Sequence, residues 1–177
     1  MNRVVFLDRD GVINRAIVRD GMPYPPASVE QTEIFPDVAE ALALLKRSGM
    51  RLAVITNQPD VARGTQTREN VEAINAFLAV KLPLDRFEVC FHGDTENCDC
   101  RKPKPGLICS AARALDGDPA DGFVVGDRWR DVEAGKAAGC RTVWIDRGYE
   151  ERLPIGYDYR AMSLMEAAKW IVQQIKS

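Results

Sequence analysis

No stretch of this 177-residue chain is apolar for long enough to cross a bilayer. An excess of positive charge is missing as well. The 24 Lys and Arg face 26 Asp and Glu, a net charge of −2, so no broad basic face offers itself to nucleic acid. The chain has no internal repeat, no low-complexity tract and no linker that would divide it. A strand is expected from residue 3 onward, which leaves no place for a signal peptide. A disulfide framework is disfavoured: the cysteines number five, an odd count, and three of them crowd into one window beside the only histidine, His92. That pattern favours a reducing compartment and a bound metal, so a cytoplasmic protein is expected. What is present, 46% hydrophobic and 28% charged residues, suits one soluble α/β domain over residues 1–177.

The stretch Val4-Val5-Phe6-Leu7-Asp8-Arg9-Asp10-Gly11-Val12 carries the strongest local signal. Its apolar run is short, rich in β-branched residues and lacks alternation, as in a parallel strand buried on both faces. The C-terminal ends of such strands form the rim where ligands bind. Asp8 and Asp10 fall on that rim, and two acids this close call for a cation such as Mg²⁺. Gly11 lets the chain turn away.

Further along, residues 12–35 read as irregular, broken by Asp20-Gly21, Pro23, Pro25 and Pro26. A helix is expected from Pro36 to Gly49, a strand at 52–55, a helix capped by Thr67 to about Val80, and a strand at 87–91. Pro105 opens a helix to about Leu115. A strand at 123–127, a helix from about Asp131 to Ala138, a strand at 142–145 and a last helix opened by the capping box Ser163-Leu164-Met165-Glu166 complete the pattern. Cys109 and Cys140 read as buried small apolar residues. Strands alternating with helices imply a doubly wound parallel sheet in three αβα layers. A dinucleotide site is disfavoured, since no G-x-G-x-x-G follows the first strand. A P-loop is absent as well, because Arg130 stands five residues before Gly135, where a glycine is required.

Cys90-x-His92-x5-Cys98-x-Cys100 offers four soft ligands within eleven residues, right for tetrahedral Zn²⁺ with no open position. Such a site is structural. It would pin the segment that carries Arg101 and Lys102, within a zinc-binding loop 90–100.

Asp8-Arg9-Asp10-Gly11-Val12, Thr56-Asn57-Gln58, Arg101-Lys102-Pro103 and Gly126-Asp127-Arg128-x-x-Asp131 resemble, in order and placement, the four motifs of the haloacid-dehalogenase-like phosphohydrolases. The Cys/His loop and Asn57-Gln58-…-Ala62-Arg63-Gly64 are similar to the D-glycero-D-manno-heptose 1,7-bisphosphate phosphatase group, which borders the histidinol-phosphate phosphatases. The resemblance implies that Asp8 attacks phosphorus, that Asp10 serves as acid and then base, and that Thr56 and Lys102 stabilise the transferring phosphoryl group. It implies Mg²⁺ on Asp8, Asp10 and Asp127, with Asp131 supporting its waters. Asn57, Gln58, Arg63, Arg101 and Arg128 are expected to contact a small phosphorylated sugar, the arginines gripping a second phosphate.

The segments after the first and second motifs are too short for a cap domain, so a capless, open site is expected in a protein that is monomeric by default. Two departures bear on the substrate: Pro59-Asp60 stands where the heptose group has Ser-Gly, and the Pro-rich loop 16–31 is unusual. The rivals are histidinol-phosphate or another small sugar-phosphate as substrate. From a different class, the rival is a non-catalytic zinc module, which has no need of the intact Asp8, Asp10, Thr56, Lys102 and Asp127 set.

Overall fold

The computed structural model describes residues 1–176. Its first strand, β1 (Val4–Leu7), is fully buried, and its side chains alternate between two cores. Val5 and Leu7 enter one, Val4 and Phe6 the other, which is why the run shows no polar alternation.

The chain then forms a hairpin, β2 (Ile17–Arg19) and β3 (Met22–Tyr24), where irregular structure was expected. The Asp20-Gly21 pair makes the turn with both residues left-handed, at φ 48° and 71°, and that twist matches the strands it joins. Pro23 is tolerated because it sits opposite Val18 in a two-stranded ribbon with no further strand awaiting its missing N–H. A single turn of 3₁₀ helix follows at Val29–Gln31.

Next come α1 (Val38–Arg47), β4 (Arg51–Asn57), α2 (Arg68–Lys81) and β5 (Arg86–Cys90). The Thr67 hydroxyl accepts the Asn70 N–H at the start of α2, as a cap should. Then follow α3 (Gly106–Ala114), a second 3₁₀ turn at Pro119–Asp121, β6 (Phe123–Gly126), α4 (Trp129–Ala138), β7 (Arg141–Ile145), β8 (Tyr159–Ala161) and α5 (Leu164–Lys176). Six strands form one parallel sheet in the order β5-β4-β1-β6-β7-β8. The packing of α1, α2 and α5 on one face, with α3 and α4 on the other, gives the doubly wound αβα architecture.

Four further expectations are corrected. β8 is a sixth strand that three residues were too few to announce; Tyr159 anchors it by stacking on Trp170, with ring centroids 5.2 Å apart. Helix α4 starts at Trp129, two residues early, so Asp131 lies in its first turn and accepts the Arg128 N–H at 3.1 Å. The Ser163 hydroxyl caps α5 at Glu166, but the Glu166 carboxylate reaches past it to the Met162 N–H. Finally, Cys109 is exposed, while Cys140 is buried.

Candidate active site

The three neighbouring strands β4, β1 and β6 end side by side, so Thr56, Asp8 and Asp127 meet at one point on the rim. Two glycines make room there. Gly11 has φ +92°, and a Cβ on it would lie 1.8 Å from Asp127 Oδ2; a Cβ on Gly126 would lie 2.1 Å from the Asp131 Cβ.

Asp8, Asp127 and Asp131 each present an oxygen within 4.8 Å of the others. Lys102, 3% exposed, donates from Nζ to Asp8 Oδ1 at 2.9 Å, to Asp131 Oδ1 at 2.6 Å and to the Ile55 carbonyl at 2.8 Å. Burial lowers the affinity of Lys102 for its proton, yet Asp131 and Asp8 outweigh burial and hold its pKa above the usual lysine value. One ammonium does not balance three acids. Burial, with Asp131 and Asp10 adding to it against Lys102, lifts Asp8 to about 6. Burial and the charges of Asp8 and Asp131 push Asp127 well above the carboxylate range. Asp127 Oδ1 is buried and accepts no hydrogen bond among the described residues, while Oδ2 accepts the Tyr149 hydroxyl at 2.7 Å. Hard oxygen donors, surplus negative charge and an unpartnered carboxylate oxygen together suit a divalent cation of the Mg²⁺ type.

Asp10 is anchored by three side chains. The fully buried Arg9 donates to both its oxygens at 3.2 Å, Asn14 donates at 2.9 Å and Gln58 at 2.8 Å. Gln58 also donates to the Thr56 hydroxyl at 2.9 Å. Expected to touch substrate, Gln58 is instead buried behind the cleft wall, and its amide fixes Asp10 relative to Thr56. The Arg9 guanidinium is held in turn by Asn75 on α2, at 2.9 Å.

Cys90, His92, Cys98 and Cys100 converge as their spacing predicts, with ligand atoms within 4.8 Å of one another and all cysteines reduced. Cys90 Sγ lies 3.9 Å from Cys98 Sγ and 3.1 Å from Cys100 Sγ, bracketing the roughly 3.8 Å that tetrahedral Zn–S bonds of about 2.3 Å require. The loop leads directly into Lys102, whose backbone Asn57 grips at both ends: Asn57 Oδ1 accepts the Lys102 N–H at 3.1 Å, and Asn57 Nδ2 donates to its carbonyl at 3.0 Å.

A cleft of about 270 Å³ opens above Asp8, Asp10, Thr56 and Lys102, roofed on one side by Met22, Pro23 and Tyr24 of the hairpin. Asn57, Arg63, Arg101 and Arg128 line it. Arg63 is tied to Asp60 and Asp94, Arg101 to Asp94, and Arg128 to Glu151 through three hydrogen bonds of 2.6–3.1 Å. Asp60, one half of the Pro59-Asp60 departure, thus serves as a counter-ion for Arg63. Reading the sequence missed Arg9, Asn14, Arg130, Tyr149 and Glu151. All five follow the end of a buried strand, Arg9 and Asn14 after β1, Arg130 after β6, Tyr149 and Glu151 after β7, so their position was the one usable signal.

A family model described as haloacid dehalogenase-like hydrolase matches residues 22–139. The chain is 37% identical over 152 residues to a D-glycero-alpha-D-manno-heptose-1,7-bisphosphate 7-phosphatase of Mycobacterium tuberculosis, covering 80% of this chain and 78% of that protein. Its identity to a D-glycero-beta-D-manno-heptose-1,7-bisphosphate 7-phosphatase of Pseudomonas putida is 37% over 155 residues, covering 85% of this chain and 86% of the other. Among solved structures, a D,D-heptose 1,7-bisphosphate phosphatase from B. bronchiseptica, complexed with magnesium and phosphate, superposes with a TM-score of 0.81. The identity is 30%, over 97% of this chain and 99% of that one. With its strand-end acids, buried lysine and doubly wound sheet on the same plan, the chain belongs to the haloacid dehalogenase-like hydrolase family.

Proposed function

We propose that this phosphatase removes one phosphate from a sugar bisphosphate, most specifically the 7-phosphate of D-glycero-D-manno-heptose 1,7-bisphosphate, through an aspartyl-phosphate on Asp8. One observation carries the reading: Asp8, Asp127 and Asp131 converge within 4.8 Å of one another beside a single ammonium, Lys102, which pairs with Asp8 and Asp131 at the floor of an arginine-lined cleft. The relatives named for the heptose bisphosphate support the substrate.

Asp8 and Asp127, with the backbone carbonyl of Asp10, would hold Mg²⁺, and Asp131 would steady its water shell. When bound, the ion neutralises phosphoryl oxygens and keeps Asp8 ionised. In the first half-reaction Asp8 attacks phosphorus, the bond to the sugar oxygen breaks, and Asp10 delivers a proton to that oxygen. In the second, Asp10 takes a proton from water, the water oxygen attacks phosphorus, and the bond to Asp8 breaks, releasing inorganic phosphate. Asp10 lines the open cleft, and the proton it takes from water replaces the one it gave to the sugar oxygen. Its hydrogen bonds from Arg9, Asn14 and Gln58 hold the carboxyl in place for both proton transfers. Thr56 and Lys102 face the charge that develops on the transferring group.

The Cys90, His92, Cys98 and Cys100 cluster would hold Zn²⁺, which would close the loop behind Lys102. Thiolate ligands need a reducing compartment, which favours the cytoplasm. The test is Asp8→Asn with Mg²⁺ and p-nitrophenyl phosphate. Phosphate release should fall by at least about 10³-fold with the circular-dichroism spectrum unchanged. Turnover persisting within tenfold would remove Asp8 as nucleophile.

A further inference from the structure

Four guanidinium groups reach the cleft, and three of them have carboxylate partners. Arg63, Arg101 and Arg128 share Asp60, Asp94 and Glu151. Arg130 lies on the same wall, and among the described residues no carboxylate pairs with it. Its guanidinium instead sits over the Trp129 ring, 4.5 Å from the centroid, which occupies one face of the fork and leaves its edge free to donate. Four cations against three acids leave one positive charge at this wall, beyond the balance of the Asp8 cluster. Arg101 and Arg128 line the same cleft and repel Arg130. An anion arriving there satisfies the free edge and relieves the crowding. The first turn of α4, which carries Arg130, adds its own partial positive charge.

We infer that Arg130 is the specificity residue that recognises the second phosphate of the substrate, the one that is not cleaved; this rests on the sugar-bisphosphate reading above. A phosphate matches the guanidinium edge in bidentate fashion, and the floor of the cleft already accounts for the reacting phosphate. Arg63 and Arg101, held by Asp94, then shape the wall more than they bind.

The experiment compares kcat/KM on heptose 1,7-bisphosphate, heptose 7-phosphate and p-nitrophenyl phosphate for the wild type, Arg130→Ala and Arg130→Lys, with Mg²⁺ present. The wild type should prefer the bisphosphate over the 7-phosphate. Arg130→Ala should shrink that preference at least about tenfold, chiefly through KM, and Arg130→Lys should recover part of it, as charge without the fork. An unchanged preference in Arg130→Ala, or an equal loss on all three substrates, would overturn the assignment. If the wild type releases phosphate from none of them, the phosphatase reading falls first; if it cleaves both heptose phosphates equally, recognition of a second phosphate falls alone.

Discussion

Tyr149 donates its hydroxyl to Asp127 Oδ2 at 2.7 Å, from a segment that also binds three other parts of the site. Arg147 donates to the Gly11 carbonyl at 2.8 Å, the Glu150 N–H to the Gly21 carbonyl at 2.9 Å, and Glu151 accepts from Arg128. Residues 147–151 therefore tie the turn after Asp10, the hairpin tip and the strand end at Asp127 into one frame. Burial and the Asp127 charge hold the Tyr149 phenol far above its ordinary pKa, so it stays a donor.

Tyr149→Phe deletes that hydrogen bond while keeping the ring. Mg²⁺ affinity measured by calorimetry should fall about 10–100-fold, with little change in melting temperature. Unaltered affinity would mean that Asp127 is positioned by its strand alone.

The Cys/His cluster sits at the base of the loop that presents Arg101 and Lys102. Cys98→Ser should lower bound zinc below one ion per chain by elemental analysis. Activity should fall about 10²-fold when Lys102 shifts, even in saturating Mg²⁺. Full activity in a zinc-free variant would show that Asn57 alone holds the lysine.

Asp85 concerns stability at a distance from the site. It accepts two hydrogen bonds of 2.8 Å from Lys46, one of 2.7 Å from the Leu52 N–H, and pairs with Arg51 at 3.4 Å. Burial pulls its pKa up, but these donors outweigh burial and leave it below the ordinary value. A depressed carboxylate adds stability above its unfolded pKa of about 4, and that stability is lost as pH falls through the lower folded value. Asp85→Asn should therefore unfold more easily at pH 7 by about 1 kcal/mol, allowing for solvent screening, and the gap in urea midpoint should close on acidification. A gap that widens in acid would contradict the assigned direction.

The alternation of apolar runs and helical faces made the sheet, its parallel sense and most of its helices legible, because burial on two faces leaves an unbroken apolar signature. The hairpin at 17–24 escaped because its prolines read as breakers, although Asp20-Gly21 is a hairpin turn and an isolated ribbon tolerates Pro23. β8 escaped because three residues carry no period.

By itself, the sequence determined which chemical groups would exist at the rim. Acids after β1 and β6, a hydroxyl after β4, a lysine beside a Cys/His loop and their order along the chain follow from local pattern alone. Only the tertiary structure decided their partners: Gln58 turned inward to Asp10, Arg63 was taken up by Asp60 and Asp94, and Arg130 was left facing the cleft with no carboxylate pairing with it among the described residues. The reason is range. Strand ends and caps are set by a few neighbouring residues, whereas the balance of charge in a cleft sums over elements up to 94 residues apart, as the pair Asp8 and Lys102 shows.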